Sequence, residues 1–174
     1  MEKHIRSLSG YISLAGIEGF HQELNYQLHP DPLTGFNFVD PLDRDRYTTD
    51  QLNVYISRDI DDVTKQFFVK QFEWILTDPA FSIQKLAPGM LLPMHTDQYG
   101  FYRQSNNVTE IDDIVRIIVF LEPWQNGHIS EINQTSNFNW HAGSWYGWRG
   151  ATPHMAANLG QTDRYTLQIT GISK

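Results

Sequence analysis

The sequence contains no cysteine, so disulfide staples and thiolate metal sites are excluded, and any bound metal must take histidine nitrogens and oxygens as ligands. No apolar run approaches the roughly 18 residues that span a bilayer, and "MEKHIRSLSG" is not followed by the apolar stretch of a secretory signal. The expectation is a soluble, cytoplasmic protein with no membrane partner. Basic charge is scarce: 13 Lys and Arg stand against 20 Asp and Glu, for a net charge of −7, and no dense basic run offsets it. A polyanion would be repelled, which argues against nucleic acid as a partner. Internal repeats and low-complexity tracts are missing too, which removes solenoids and propellers.

What remains is a chain able to bury a core. Hydrophobic residues make up 40% of 174 positions and aromatics 13%, far from the composition of disordered segments. That length suits one domain. We expect a single domain over 1–174, with an irregular and helical part over 1–80 packing on a β core over 81–171. Residues 17–27 read as a short helix, and "HPDPLTGFNFVDP" reads as loop because it is rich in Pro, Gly and Asp. The strong helical pattern is "DIDDVTKQFFVKQFEWILTDP", with Val63, Phe67, Phe68, Phe72, Ile75 and Leu76 near one face and Asp78-Pro79 as its stop.

From Phe81 the signals change to short strands: "FSIQKL", "DIVRIIVFL", "HISEI", "SWYGW", "HMAAN" and "RYTLQITG". "IVRIIVFL" is apolar on both faces apart from Arg116, as in a central strand covered on each side. "RYTLQIT" alternates, with Tyr165, Leu167 and Ile169 on one face and Arg164, Thr166, Gln168 and Thr170 on the other. A helix followed by many short strands predicts a mainly β fold with a supporting helix, a jelly roll enclosing a cavity.

Seven histidines and 20 acidic residues yield roughly one His-x-acid pair by chance, and the chain has three. His21/Glu23 lies in the possible helix, where residues two apart diverge, and His29/Asp31 flanks a proline in turn chemistry. His95/Asp97 in "LLPMHTDQYG" differs, because two residues apart on an extended segment send both side chains to one face. A ferrous ion that binds a co-substrate and oxygen needs two histidines and one carboxylate on one side. His154 is the best second histidine, because Arg164, ten residues on, is the only Arg or Lys nine to eleven positions after any histidine. If 158–161 form a tight turn, the two lie nearly opposite; if the chain crosses between facing sheets, both still point into the space between. Arg164 has the fork that grips a carboxylate, and Thr166 on the same strand face can add a hydroxyl. The alternative for that face is a solvated surface.

With "KLAPGMLLPMHTD", "VRIIVFLEPW", "WHAGSWYGW" and "PHMAANLGQTDRYTL", residues 81–171 resemble the iron(II)- and 2-oxoglutarate-dependent oxygenases. They are similar to the aspartyl/asparaginyl β-hydroxylase and prolyl hydroxylase groups. Leu86 and Leu92 stand where prolyl hydroxylases usually carry tyrosines, so the resemblance is to the superfamily. It implies a double-stranded β-helix of cupin-like form, with His95, Asp97 and His154 as iron ligands and Arg164 with Thr166 holding the distal carboxylate of 2-oxoglutarate. It further implies O2 as oxidant and hydroxylation of an unactivated C–H bond in a peptide, amino acid or small metabolite. Arg116 is then a contact to 2-oxoglutarate or substrate, or equally a structural ion pair. Tyr102 and Arg103, in the lid-like 98–113 segment, and Trp148 with Arg149 are candidate substrate contacts. His128 and His141 read as structural. Two alternatives stay open: a cupin-type metal enzyme without 2-oxoglutarate, and a metal-free jelly-roll module that binds ligands through its aromatics.

Overall fold

A computed structural model describes residues 8–29, 36–39 and 51–174. In chain order the described elements are β1 (Leu8–Tyr11), β2 (Gln27–Leu28), β3 (Phe36–Phe38), β4 (Tyr55–Ser57), helix α1 (Asp62–Phe72), β5 (Leu76–Leu86) and β6 (Leu91–Asp97). Helix α2 (Gly100–Asn106) follows, then β7 (Ile114–Phe120), β8 (His128–Ile132), β9 (Thr135–Asn137), β10 (Ser144–Arg149), β11 (His154–Asn158) and β12 (Arg164–Ser173). They form two antiparallel sheets, one ordered β1-β10-β7-β12-β5-β4-β2 and the other β3-β6-β11-β8-β9. Facing sheets whose strands alternate between them make a double-stranded β-helix, the architecture expected from the strand pattern.

The seven-stranded sheet is buried on its outer side by α1 and the segment before it. Val115, Ile117 and Val119 of β7 and Leu167 and Ile169 of β12 pack there with Phe68 and Phe72 of the helix and Ile12 and Leu14. Period two then forces Arg116 and Ile118 of β7 and Arg164, Thr166, Gln168 and Thr170 of β12 toward the other sheet, where they line a cavity. The polar face of β12 is therefore interior. The solvated alternative is excluded by the burial of Arg164, Thr166 and Thr170.

Three local expectations change. The segment 17–27 contains only a four-residue 3-10 turn, Phe20–Glu23, followed by β2. Part of the expected loop after His29 is β3, paired with β6, while Asp31 lies outside the described residues. Helix α1 starts where expected, with the Thr64 amide donating to the Asp61 carboxylate at 2.8 Å, but it stops at Phe72. Leu76 and Thr77 instead pair with Ser173 and Ile172 of β12. Asp78, at φ 50°, and Pro79 sit at the bulge this pairing requires, between the Ile172↔Thr77 and Thr170↔Ala80 partners. Ladder bonds to a long central strand outweigh another turn of helix, and the proline falls where a bulge tolerates it. Val63, assigned to the apolar face, is exposed.

Among the described residues no helix is long and apolar enough to cross a membrane. Phe68 is fully buried between α1 and the sheet, so Phe68→Ala is expected to cost about 3–5 kcal/mol of folding stability, read as a lower urea midpoint with an unchanged m-value.

Candidate metal centre and cavity

β6 carries His95 and Asp97, and a bulge decides where they point. Ala156 of β11 pairs with Leu92, and His154 pairs with His95, so three steps on β6 oppose two on β11. The extra residue, within Pro93-Met94, shifts the alternation so that Leu92, His95 and Asp97 all face the cavity. The bulge also supplies a hydrogen-bond partner. His95 Nδ1 lies 2.6 Å from the Pro93 carbonyl, and His154 Nδ1 lies 2.9 Å from that of Thr152. A carbonyl only accepts, so both rings carry their proton on Nδ1 and present the Nε2 lone pair inward.

Those lone pairs converge. His95 Nε2 is 3.9 Å and His154 Nε2 3.8 Å from the Asp97 carboxylate, and the three donor atoms lie within 4.8 Å of one another. Burial, and next the neighbouring His154, push the His95 imidazole down to about 3. Burial likewise lowers His154. Burial would raise the Asp97 carboxyl, but the Arg116 guanidinium, with smaller contributions from the two histidines, outweighs it and holds the group below the usual carboxylate range. At neutral pH the cluster is two neutral imidazoles and one carboxylate. This donor set fits a divalent metal of intermediate hardness held on one face.

Arg116, from the facing sheet, donates to Asp97 Oδ2 through Nη2 at 3.0 Å and Nε at 3.2 Å, and its Nη1 donates to Gln168 at 3.1 Å. The ion-pair alternative for Arg116 is the one its geometry favours. Trp148 packs its ring 4.6 Å from that of His154 and lines the cavity.

Across the cavity, Arg164 and Thr166 project from β12. The chain passes from the five-stranded sheet into the seven-stranded one between β11 and β12, so the crossing geometry holds for His154 and Arg164, and the tight-hairpin one does not. Asn158 fixes that crossing by donating to the Leu86 carbonyl at 2.7 Å and the Thr162 carbonyl at 2.8 Å. Arg164 is 3% exposed. Its guanidinium lies 5.6 Å from the Phe120 and Trp140 rings, no carboxylate among the described residues pairs with it, and its Nε has no hydrogen-bond partner. Burial alone lowers it to about 10, so it remains charged at neutral pH.

The cavity measures about 500 Å³. Tyr102 lines it, although its hydroxyl is committed to the Asp78 carbonyl at 2.7 Å. Arg103 and Arg149 do not line it. Arg103 donates to the carbonyls of Val108 and Thr109, closing the loop after α2. Arg149, one residue past Trp148, falls on the outer, exposed side and reaches the Lys174 carbonyl. Within the 98–113 segment expected as a lid, Gly100–Asn106 form α2, and Phe101 and Asn106 lie along the cavity. His128 bonds the Thr162 carbonyl and His141 is exposed, both away from the cluster. Gln168 and Tyr99, from the polar β12 face and the lid segment, line the cavity as well, and so does His29, expected only as turn chemistry; Gln84 and Arg58 are lining residues that sequence reasoning passes over. The period-two pattern of β5 and β12 places both glutamines on the inner face, whereas β4, which brings in Arg58, is too short to signal itself.

No protein-family model matches the sequence, and no curated protein matches it either. Solved structures do match in fold. A prolyl-4-hydroxylase from Pseudomonas putida superposes with a TM-score of 0.57 at 13% identity, covering 98% of this chain and 92% of that one. An oxidoreductase of the 2OG-Fe(II) oxygenase family from Burkholderia pseudomallei gives 0.55 at 14% identity, covering 96% and 84%. A predicted oxalate decarboxylase from Thermotoga maritima aligns more loosely, at 0.46 and 12% identity over 87% and 95%. At such identities the likeness establishes the double-stranded β-helix and nothing finer.

The depressed imidazole gives a pH prediction. Above about 6.5 His95 is neutral both folded and unfolded. As pH falls toward about 3 the unfolded ring protonates and the folded one resists, so the metal-free protein loses stability through that window. Urea midpoints measured across it should fall steadily for the wild type and less steeply for His95→Gln.

Proposed function

We propose that this protein is an iron(II)- and 2-oxoglutarate-dependent oxygenase that hydroxylates an unactivated C–H bond of a small molecule or peptide. The observation that carries this reading is Arg164: a charged, buried guanidinium with no counter-ion among the described residues, lining the same cavity as the His95–Asp97–His154 cluster. A buried unpaired charge is costly, and a dicarboxylate reaching from the metal would neutralise it. A metal enzyme of this fold that took no such co-substrate would carry that cost with no return, so the cupin-type alternative is less well supported.

In this reading His95, Asp97 and His154 hold the iron. The Nδ1–H groups of His95 and His154 donate to the Pro93 and Thr152 carbonyls and fix the ring planes, and Arg116 fixes the carboxylate. Ferrous iron and 2-oxoglutarate, with O2, supply the oxidising power, yielding succinate and CO2 beside the hydroxylated product. Arg164 receives the distal carboxylate as a two-pronged donor, and the Thr166 hydroxyl, on the same strand face, adds a third bond. Trp148 walls one side of His154 and keeps water from that flank of the centre.

Purified protein supplied with Fe(II), ascorbate and 2-oxoglutarate is expected to form succinate, slowly in the absence of the true substrate. Arg164→Ala should weaken 2-oxoglutarate by at least about 30-fold, the cost of removing one partner of a buried charge pair, and Arg164→Lys should recover part of it. Mn(II) binding, followed by electron paramagnetic resonance, should survive Arg164→Ala and disappear in His154→Ala. Metal binding without 2-oxoglutarate binding would reject the oxygenase reading in favour of a cupin-type enzyme.

A further inference from the structure

The cavity is cationic inside an acidic chain. Three arginines line it, Arg58, Arg116 and Arg164, and Asp97 is the one acidic residue among the described lining residues. Asp97 neutralises Arg116 at 3.0 Å. If the site holds a divalent metal and 2-oxoglutarate, as proposed above, the dianion cancels two of the three positive charges that the metal and Arg164 contribute. Arg58 then adds a further positive charge with no counter-ion among the described residues.

Arg58 and Arg164 enter the cavity at different levels and from different strands. It follows Ser57 at the end of β4, and the β4–β5 and β5–β12 registers set it level with Ser82 and Gln168. Arg164 lies four residues further back along β12, about 13 Å, and β4 is two strands from β12, about 10 Å. A five-carbon diacid stretched from the metal to Arg164 leaves the Arg58 side of the cavity open. Two further polar groups without partners lie on the strands between Arg164 and the β4 edge or just beyond it. Gln84, buried on the inner face of β5 between Ile56 of β4 and Thr166 of β12, has no side-chain hydrogen bond among the described residues, and neither has the buried Nδ1 of His29, just past β2.

We infer that the substrate of this site is an anion, whose carboxylate or phosphate is bound by Arg58 at the β4 edge of the cavity with Gln84 as the adjoining polar contact. Arg58 is solvent-exposed at that edge, so it captures the group where the cavity opens. Its planar fork suits an oxyanion, and its charge is independent of pH in the working range. The arrangement sorts the two acids the enzyme must hold. The buried Arg164 takes the one whose other end chelates the metal, and Arg58 takes the one that must present a C–H bond to it.

This inference rests on the oxygenase reading, and its test separates the two. Protein loaded with Mn(II) and 2-oxoglutarate is titrated, by ligand-observed NMR, with free L-amino acids and dipeptides, each beside its C-terminal amide, and with O-phosphoserine amide as the phosphate arm. At least one free acid is expected to bind about tenfold more tightly than its amide, or O-phosphoserine amide about tenfold more tightly than serine amide. Arg58→Ala should abolish that preference and Arg58→Lys should restore part of it. Amides binding as well as acids, a preference that persists in Arg58→Ala, or no probe binding at all would overturn the inference. Failure of 2-oxoglutarate to bind the wild type would overturn the oxygenase reading itself, whereas 2-oxoglutarate binding without discrimination between acid and amide would remove this inference alone.

Discussion

The ion pair between Arg116 and Asp97 is the contact on which the rest of the interior depends. Asp97 belongs to one sheet and Arg116 to the other, so the 3.0 Å bond spans the two layers at the place where the cavity begins. Without the guanidinium, burial would drive the carboxyl toward its protonated form, and a protonated acid is a poor metal ligand. With it, Asp97 stays an anion among neutral histidines. Such a pair adds little to stability when compared with apolar residues of the same volume, yet removing one partner is expensive. Its value here is positional: it holds a carboxylate charged and oriented where water is scarce.

The backbone contributes through two irregularities. The bulge at Pro93-Met94 turns His95 and Asp97 inward together with Leu92, and the same bend offers the carbonyl that fixes the His95 tautomer. The crossing after Asn158 carries the chain from the sheet of His154 to the sheet of Arg164, so residues ten apart in sequence stand on opposite walls. A regular hairpin would have placed both on one wall and left no room between them.

Much of this was legible in the sequence, for reasons that differ from residue to residue. The six strands expected after Phe81 all form, because each is long enough for alternation to register. The inward face of β12 was visible as a set, Arg164 through Thr170, but a polar strand face reads the same whether it meets water or a polar cavity. Only the apolar partners of Leu167 and Ile169 on the far side decide it. The helix was overextended because Ile75 and Leu76 fit its period, while the competitor, pairing with a strand nearly a hundred residues later, leaves no local trace. β6 was recognised through its histidine and aspartate and not through its pattern, since the bulge breaks the alternation that would have marked it. Arg58 was missed because β4 is three residues long.

A chain of net charge −7 that gathers three arginines around one cavity poses an electrostatic problem for any anionic ligand. At long range the ligand meets net repulsion. At physiological ionic strength, however, that repulsion fades over about 8 Å, so an anion close to the surface responds mainly to nearby charges. Low-dielectric walls then strengthen the field of the arginines inside the cavity. The net negative charge of the chain and the cationic cavity are therefore compatible: the weak long-range repulsion follows the sum of the charges, while the field inside the cavity follows the few that face inward. Because Arg164 is buried and Arg58 is not, the two differ in what they can select. A deep, desolvated guanidinium binds strongly only a ligand that fits the cavity and brings its own charge. One at the rim screens by charge and tolerates variety in the remainder of the molecule.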